Sequence, residues 1–229
     1  MPDEFIHPDG SDVFVARYVA SADLRLKLQD VLASAQDNSP AGQHDKRPDL
    51  DSPGWRWFRK NRVGLDALAR LNCERASRSL SVRFASVRTA LGAEQFSNYL
   101  AAFLGHAEIS LSADSSKLED ECFSWLCRQV SGGDLKLALH RDRARMLCDR
   151  QLRDLPLIAT AAGLRGLRYA VTSRTLIEVE LLTADDLMSG TVQIFEPCFE
   201  TGKVRALTVP VEKFRAAAFV SAEGAEDGE

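Results

Sequence analysis

The spacing of apolar residues changes once along this 229-residue chain, close to Pro156. Before that point apolar residues recur every three to four positions, as at Leu24, Leu28 and Val31, which is typical of amphipathic helices. Between residues 167 and 219 they alternate with polar residues, which is typical of strands. A run of helices followed by a run of strands predicts an α+β fold, with an N-terminal helical bundle followed by a small C-terminal antiparallel sheet.

The same change of spacing predicts the domain organisation. We expect a helical domain over residues 1–155 and a small antiparallel β domain over residues 156–220. Within the helical domain, residues 37–54 are rich in proline and glycine and are predicted to form a mobile loop. The last segment, residues 221–229, is acidic and poor in large apolar residues, so it is predicted to be a disordered tail.

One long helical stretch is predicted from Trp55 to Leu91. A break is expected near Asn61 or Gly64, since neither residue favours a helix interior. Gly92 is expected to end the stretch, because glycine readily adopts the backbone conformation of a helix C-cap.

Four strands are predicted in the C-terminal part of the chain. Glu200 to Lys203 is expected to form a tight hairpin turn between the last two of them. Pro210 lacks a backbone N–H, so the last strand is expected to lie at an edge of the sheet. The predicted strands span residues 167–173, 175–182, 191–198 and 203–211.

Charge is unevenly distributed. Residues 55–91 contain nine basic and two acidic residues, a local charge of +7, although the whole chain has a formal net charge of −4. Two interpretations remain open for this stretch. It is either a solvated helix face or a surface that binds a protein or nucleic-acid partner.

The sequence contains no recognisable catalytic or metal-binding motif. The five cysteines are irregularly spaced, which favours free thiols in a cytoplasmic protein, and none of the four histidines has a His, Asp or Glu at helical i+4 spacing. No apolar run is long enough for a membrane span. We therefore expect a binding protein rather than an enzyme. An enzyme whose ligands come from distant parts of the chain is a less favoured alternative.

A pattern of apolar residues and one glycine in the helical part resembles a known family. It consists of Leu80, Phe84, Val87, Leu91, Gly92, Phe96, Phe103 and Leu104. The segment Asp142-x-Ala144-Arg145 is similar to a piece of the same family's last helix. The family comprises the partner subunits of multinuclear non-heme iron oxidases, which modify cysteines in ribosomally made peptides such as the precursors of methanobactin and 3-thiaglutamate.

This resemblance implies a function and a set of partners. The helical domain would dock on the oxidase, a TIM-barrel enzyme that holds the iron, and this chain would need no cofactor of its own. The basic stretch would supply the docking residues Arg56, Arg59, Arg62, Arg75 and Arg78. The alternative is a nucleic-acid-binding regulatory protein that uses residues 55–91, although the acidic total charge makes nucleic acid a less expected partner.

The resemblance also implies that the sheet binds the leader of the precursor peptide. A peptide can add as a strand to an exposed sheet edge, with main-chain hydrogen bonds and pockets for alternate side chains. In this interpretation Lys203 and Arg205 would pair with acidic leader residues. The alternative is that the apolar members only pack the sheet on the helices. The candidate residues are Thr191, Gln193, Phe195, Lys203, Arg205, Leu207 and Val209.

Overall fold

A computed structural model describes residues 8–36, 49–109, 115–154, 166–172, 175–182, 186 and 190–214. It confirms the α+β prediction, because the described residues are mostly helical and a four-stranded antiparallel sheet follows the helices. The helices are α1 (Asp12–Ala20), α2 (Ala22–Gln36), α3 (Pro53–Arg83), α4 (Ala85–Leu91), α5 (Ala93–Leu104), α6 (Ser116–Gln129) and α7 (Gly133–Asp154). The strands are β1 (Tyr169–Val171), β2 (Leu176–Glu178), β3 (Thr191–Cys198) and β4 (Lys203–Pro210).

The chain divides into two compact units. Unit 1 consists of Met1–Val82 and Ser97–Cys122, and unit 2 consists of Arg83–Phe96 and Phe123–Glu229. The sheet therefore shares its unit with α4 and α7. The domain boundary predicted after residue 155 and the tail predicted over 221–229 lie outside the described residues.

An aromatic cluster forms the core of unit 1. The Tyr18 and Phe58 rings pack edge-on with their centroids 5.3 Å apart, and Trp55 packs edge-on against Phe58 at 5.8 Å. Leu24 and Leu28 of α2 join this cluster. The Ser21 hydroxyl accepts a hydrogen bond from the backbone N–H of Leu24 and so caps the start of α2.

Helix α3 begins inside the segment predicted to be a loop. Pro53 is its first residue, a position that proline favours because the first helical turn needs no N–H partner there. A Cβ at Gly54 would collide with the backbone carbonyl of Pro8, so only glycine fits at this position. The rest of the predicted loop, residues 37–48, lies outside the described residues.

The break predicted near Asn61 or Gly64 was wrong, because α3 continues through both residues. The Asn61 side chain donates to the carbonyl oxygen of Trp57, one turn earlier, at 2.8 Å. At Gly64, apart from its chain neighbours and the adjacent helix backbone, no atom of the described residues lies within 4 Å of the place where a Cβ would stand. A glycine in a helix interior costs about 1 kcal/mol relative to alanine, and α3 tolerates this cost.

The helix instead breaks at Phe84, where φ is −101° and ψ is 42°. Asp142 of α7 caps the next helix, α4, since its two carboxylate oxygens accept hydrogen bonds from the backbone N–H groups of Ser86 (3.1 Å) and Val87 (3.0 Å). Burial raises the pKa of Asp142, and these N–H donors partly oppose that effect. The aspartate of the Asp142-x-Ala144-Arg145 segment is thus a structural cap.

Replacing Asp142 with alanine is expected to lower the free energy of unfolding by about 1–3 kcal/mol, because two helix N–H groups lose their acceptors. Asp142→Asn should lose less of the free energy of unfolding, since one acceptor oxygen stays and no charge is buried. Thermal or urea unfolding measures both changes. Asp154→Ala, at an exposed position of the same helix, is the control and should stay within about 0.5 kcal/mol of the parent. Equal stability of Asp142→Ala and Asp154→Ala would contradict the capping role.

The sheet of unit 2 has the strand order β2-β1-β3-β4, with antiparallel neighbours throughout. One face packs on α7, where Tyr169, Val171 and Phe195 contact Ala144 and Cys148. The opposite face holds a second apolar cluster around Val192 and Ile194. The predicted hairpin turn between β3 and β4 is confirmed, with Gly202 at a φ of 63°.

Candidate functional site

β4 is one of the two edge strands of the sheet, and β2 is the other. β4 pairs with β3 over its whole length, from Thr191 opposite Pro210 to Cys198 opposite Lys203. In the part of the chain that the structure describes, no strand pairs with the other side of β4. The expectation drawn from Pro210, that the last strand lies at a sheet edge, is therefore confirmed.

The hydrogen-bond pattern shows which backbone groups of β4 point outward. The N–H of Val211 donates to the carbonyl of Gly190 at 3.0 Å, and these two residues continue the register of β3 and β4. Bonded and non-bonded pairs alternate along an antiparallel ladder. The backbone groups that point to β3 therefore belong to Lys203, Arg205, Leu207 and Val209. Those that point away from β3 belong to Val204, Ala206, Thr208 and Pro210.

Proline occupies an outward position, where its missing N–H leaves no gap in the ladder. Three outward residues, Val204, Ala206 and Thr208, keep both an N–H and a C=O. An edge of this kind is a template for pairing with another extended chain. The side chains of Lys203, Arg205, Leu207 and Val209 share one face of β4, because side chains alternate between faces.

That face of β4 divides into a polar half and an apolar half. Arg205 lies opposite Glu196 and pairs with it at 3.2 Å, while its own side chain stays 59% exposed. Leu207 is 45% exposed and lies opposite Ile194. A peptide beside β4 would therefore meet basic groups near the hairpin and apolar groups further along the strand.

The three predicted peptide contacts on β3 lie on an interior strand, between β1 and β4. Phe195 is 3% exposed and packs in the cluster on α7, so its side chain is not available to a ligand. Gln193 lies beside Thr208 with 3.5 Å between its Nε2 and the threonine hydroxyl, and its Oε1 is buried without a hydrogen-bond partner. Thr191 is exposed at the start of the strand. The structure thus brings four of the seven predicted residues together on the edge strand β4.

The five predicted docking arginines all lie on α3. Three of them form ion pairs, Arg59 with Asp51 at 3.7 Å, Arg62 with Asp66 at 3.5 Å and Arg78 with Glu74 at 3.6 Å. Arg75 donates to the side-chain oxygen of Asn72, and Arg56 is exposed. Exposed ion pairs contribute little to stability, so these side chains can change partners at low cost.

Sequence reasoning missed a set of exposed apolar side chains on the same helix. Leu68 is 51% exposed, Leu71 is 58% exposed and Val82 is 75% exposed. The spacing of these residues along α3, at intervals of three and eleven residues, is the sequence signal for such a set.

The described residues contain no group of three or more His, Cys, Asp or Glu side chains that could hold a metal ion. None of the described helices is both long and apolar enough to cross a membrane. All five cysteines are free thiols. Burial raises the pKa of Cys122 and Cys148 to about 12, whereas hydrogen bonds from Thr201 lower the pKa of Cys198 at the β3–β4 hairpin.

Comparison of the chain with protein-family models, with curated proteins and with solved structures finds no match. The residues that carry the family resemblance have clear structural positions. Phe84, Val87 and Phe96 are buried, and Gly92 ends α4 with a φ of 86°. These residues pack the core or end a helix, and such roles do not indicate a particular activity.

Proposed function

We propose that this chain is a cytoplasmic, non-catalytic subunit that binds the leader of a ribosomally made precursor peptide. It would present a cysteine of that peptide to a multinuclear iron oxidase. The observation that supports this proposal is the outer edge of β4, where three residues offer both an N–H and a C=O to an incoming strand. The resemblance to oxidase partner subunits supplies the class of peptide and of enzyme.

The leader binds as a fifth strand beside β4. Val204, Ala206 and Thr208 provide the main-chain hydrogen bonds, and these bonds are independent of the leader's sequence. Selectivity comes from the face that carries Lys203, Arg205, Leu207 and Val209. It favours a leader with acidic residues at two alternate positions and apolar residues at the two adjoining positions of the same alternation.

The oxidase docks through the basic surface of α3 and holds the iron. Arginines at an exposed surface raise the rate of association with an acidic partner more than they raise affinity. Arg56 and Arg78 are suited to this role because both are exposed.

Co-expression with a neighbouring oxidase gene and its precursor-peptide gene tests this function. We expect the chain and the oxidase to elute together, and we expect cysteine modification only when both are present. Modification of the peptide by the chain alone would overturn the proposal. Tight, strongly salt-dependent binding to random duplex DNA at physiological salt would favour the regulatory alternative instead.

A further inference from the structure

The exposed apolar residues of α3 lie on one line along the helix. Leu68, Leu71 and Val82 belong to a series that also contains Gly64, Arg75 and Arg78, with successive spacings of four, three, four, three and four residues. This is the spacing of the contact positions of a coiled coil. We call these six residues the α3 seam. Its three large apolar side chains are each at least half exposed.

Gly64 gives the seam a second distinguishing feature. It lies in the interior of a 31-residue helix, and apart from its chain neighbours and the adjacent backbone of α3, no atom of the described residues lies within 4 Å of where its Cβ would be. Internal packing therefore does not require a glycine there, although glycine weakens a helix. A missing side chain on an exposed face allows another backbone to approach closely.

Charge determines which kind of helix the seam accepts. Pro53–Val82 contains seven basic and two acidic residues, a local charge of +5, and two of the basic residues, Arg75 and Arg78, lie in the seam itself. A second copy of α3 would bring like charges together, which disfavours self-association. A helix with acidic residues beside its apolar stripe would complement both the leucines and the arginines.

We propose that the α3 seam binds an amphipathic helix of a partner protein, one that carries acidic residues on both sides of its apolar stripe. Leu68, Leu71 and Val82 pack against the apolar stripe, and Arg75 and Arg78 pair with the acidic residues. This interaction surface belongs to α3 alone and does not depend on strand addition at β4.

Two synthetic helical peptides of about four heptads test the proposal with the full chain. Both carry leucine at positions a and d; one has glutamate at e and g, and the other has lysine. Fluorescence anisotropy should show binding of the glutamate peptide and at least about tenfold weaker binding of the lysine peptide. Leu71→Glu should weaken binding of the glutamate peptide by about tenfold or more.

Val63→Glu is the matched control. Val63 is 83% exposed on the same helix but lies about 100° around it from Gly64, so this variant should change the affinity by less than about twofold. Unfolding curves check that Leu71→Glu and Val63→Glu both fold. Leu68→Ser is a second variant of the seam, one that adds no charge.

Equal affinities for the two peptides would overturn the proposal. So would equal losses of affinity for the glutamate peptide in Leu71→Glu and Val63→Glu. A chain dimer that Leu71→Glu dissociates would assign the seam to a second copy instead. Ala206→Pro, which blocks the β4 edge, should leave the affinity for the glutamate peptide unchanged. The proposals for the α3 seam and for the β4 edge can therefore be contradicted separately.

Discussion

Replacing Ala206 with proline is expected to weaken binding of the precursor peptide by about tenfold or more, with a loss in unfolding free energy of no more than about 1 kcal/mol. The Ala206 N–H points away from β3, so the ladder keeps all its hydrogen bonds. An incoming strand, however, loses a donor and meets the proline ring. The same chain already carries a proline at the outward position 210, which indicates that the strand tolerates one. Isothermal titration with the peptide and urea unfolding measure the two quantities.

Two control variants separate edge pairing from strand stability. Leu207→Pro removes an N–H that points to β3 and should destabilise the chain more than Ala206→Pro does, because it breaks the ladder itself. Ala206→Val adds bulk without removing the donor and should retain most of the peptide affinity. If Ala206→Pro bound the peptide as well as the parent chain, strand addition at β4 would be excluded. Similar stability losses in the two proline variants would contradict the alternation along the ladder.

Replacing Phe195 with alanine is expected to lower the free energy of unfolding by about 3–5 kcal/mol. The ring is 3% exposed and packs with Tyr169 and Val171 of the sheet and with Ala144 and Cys148 of α7, so its removal leaves a cavity between the sheet and α7. Urea unfolding followed by far-ultraviolet circular dichroism measures this loss. Peptide binding should fall only to the extent that the sheet unfolds.

Leu207→Ala is the matched control for Phe195→Ala. Leu207 is 45% exposed on β4, so its truncation should cost less than about 1 kcal/mol of stability and should weaken the apolar contact with the peptide. A Phe195→Ala variant that is as stable as Leu207→Ala, yet fails to bind the peptide, would make Phe195 a ligand contact and would contradict its place in the core.

Much of this fold could be predicted from local sequence patterns. The change in apolar spacing near Pro156 predicted the order of helices and sheet, and the four strands lie within the ranges it gave. The hairpin turn at Gly202 and the edge position of β4 followed from the backbone properties of glycine and proline. The spacing and the turn depend on neighbouring residues, and a proline inside a strand restricts where that strand can lie, which explains why the sequence predicts these features.

The features that the sequence did not predict depend on residues far apart in the chain. Nothing near Phe84 predicts the helix break there, because the cap of α4 comes from Asp142, 56 positions from Ser86. Gly64 was expected to interrupt the helix, because glycine is a poor helix former. Tertiary packing at other positions of α3, such as Leu65 and Trp55, stabilises the helix through this residue.

The candidate site also combines features that the sequence predicts with features that it does not. Phe195 and Leu207 are both apolar residues of predicted strands, yet one is buried against α7 and the other is half exposed. Which of them faces α7 depends on the strand order and the register, and neither is visible in a single sequence. Likewise, the register of β3 and β4 determines which β4 amides point outward, and the hydrogen bond from Val211 to Gly190 shows which they are.

Residue-resolved amide hydrogen exchange, with and without saturating precursor peptide, tests strand addition most directly. Without peptide, the ladder should protect the amides of Arg205, Leu207 and Val209, whereas the outward amides of Val204, Ala206 and Thr208 should exchange rapidly. Peptide binding should slow the three outward amides by at least about tenfold, because each then donates to the added strand or is covered by it. Unchanged exchange at Val204, Ala206 and Thr208 in the peptide-saturated chain would contradict leader binding at the β4 edge.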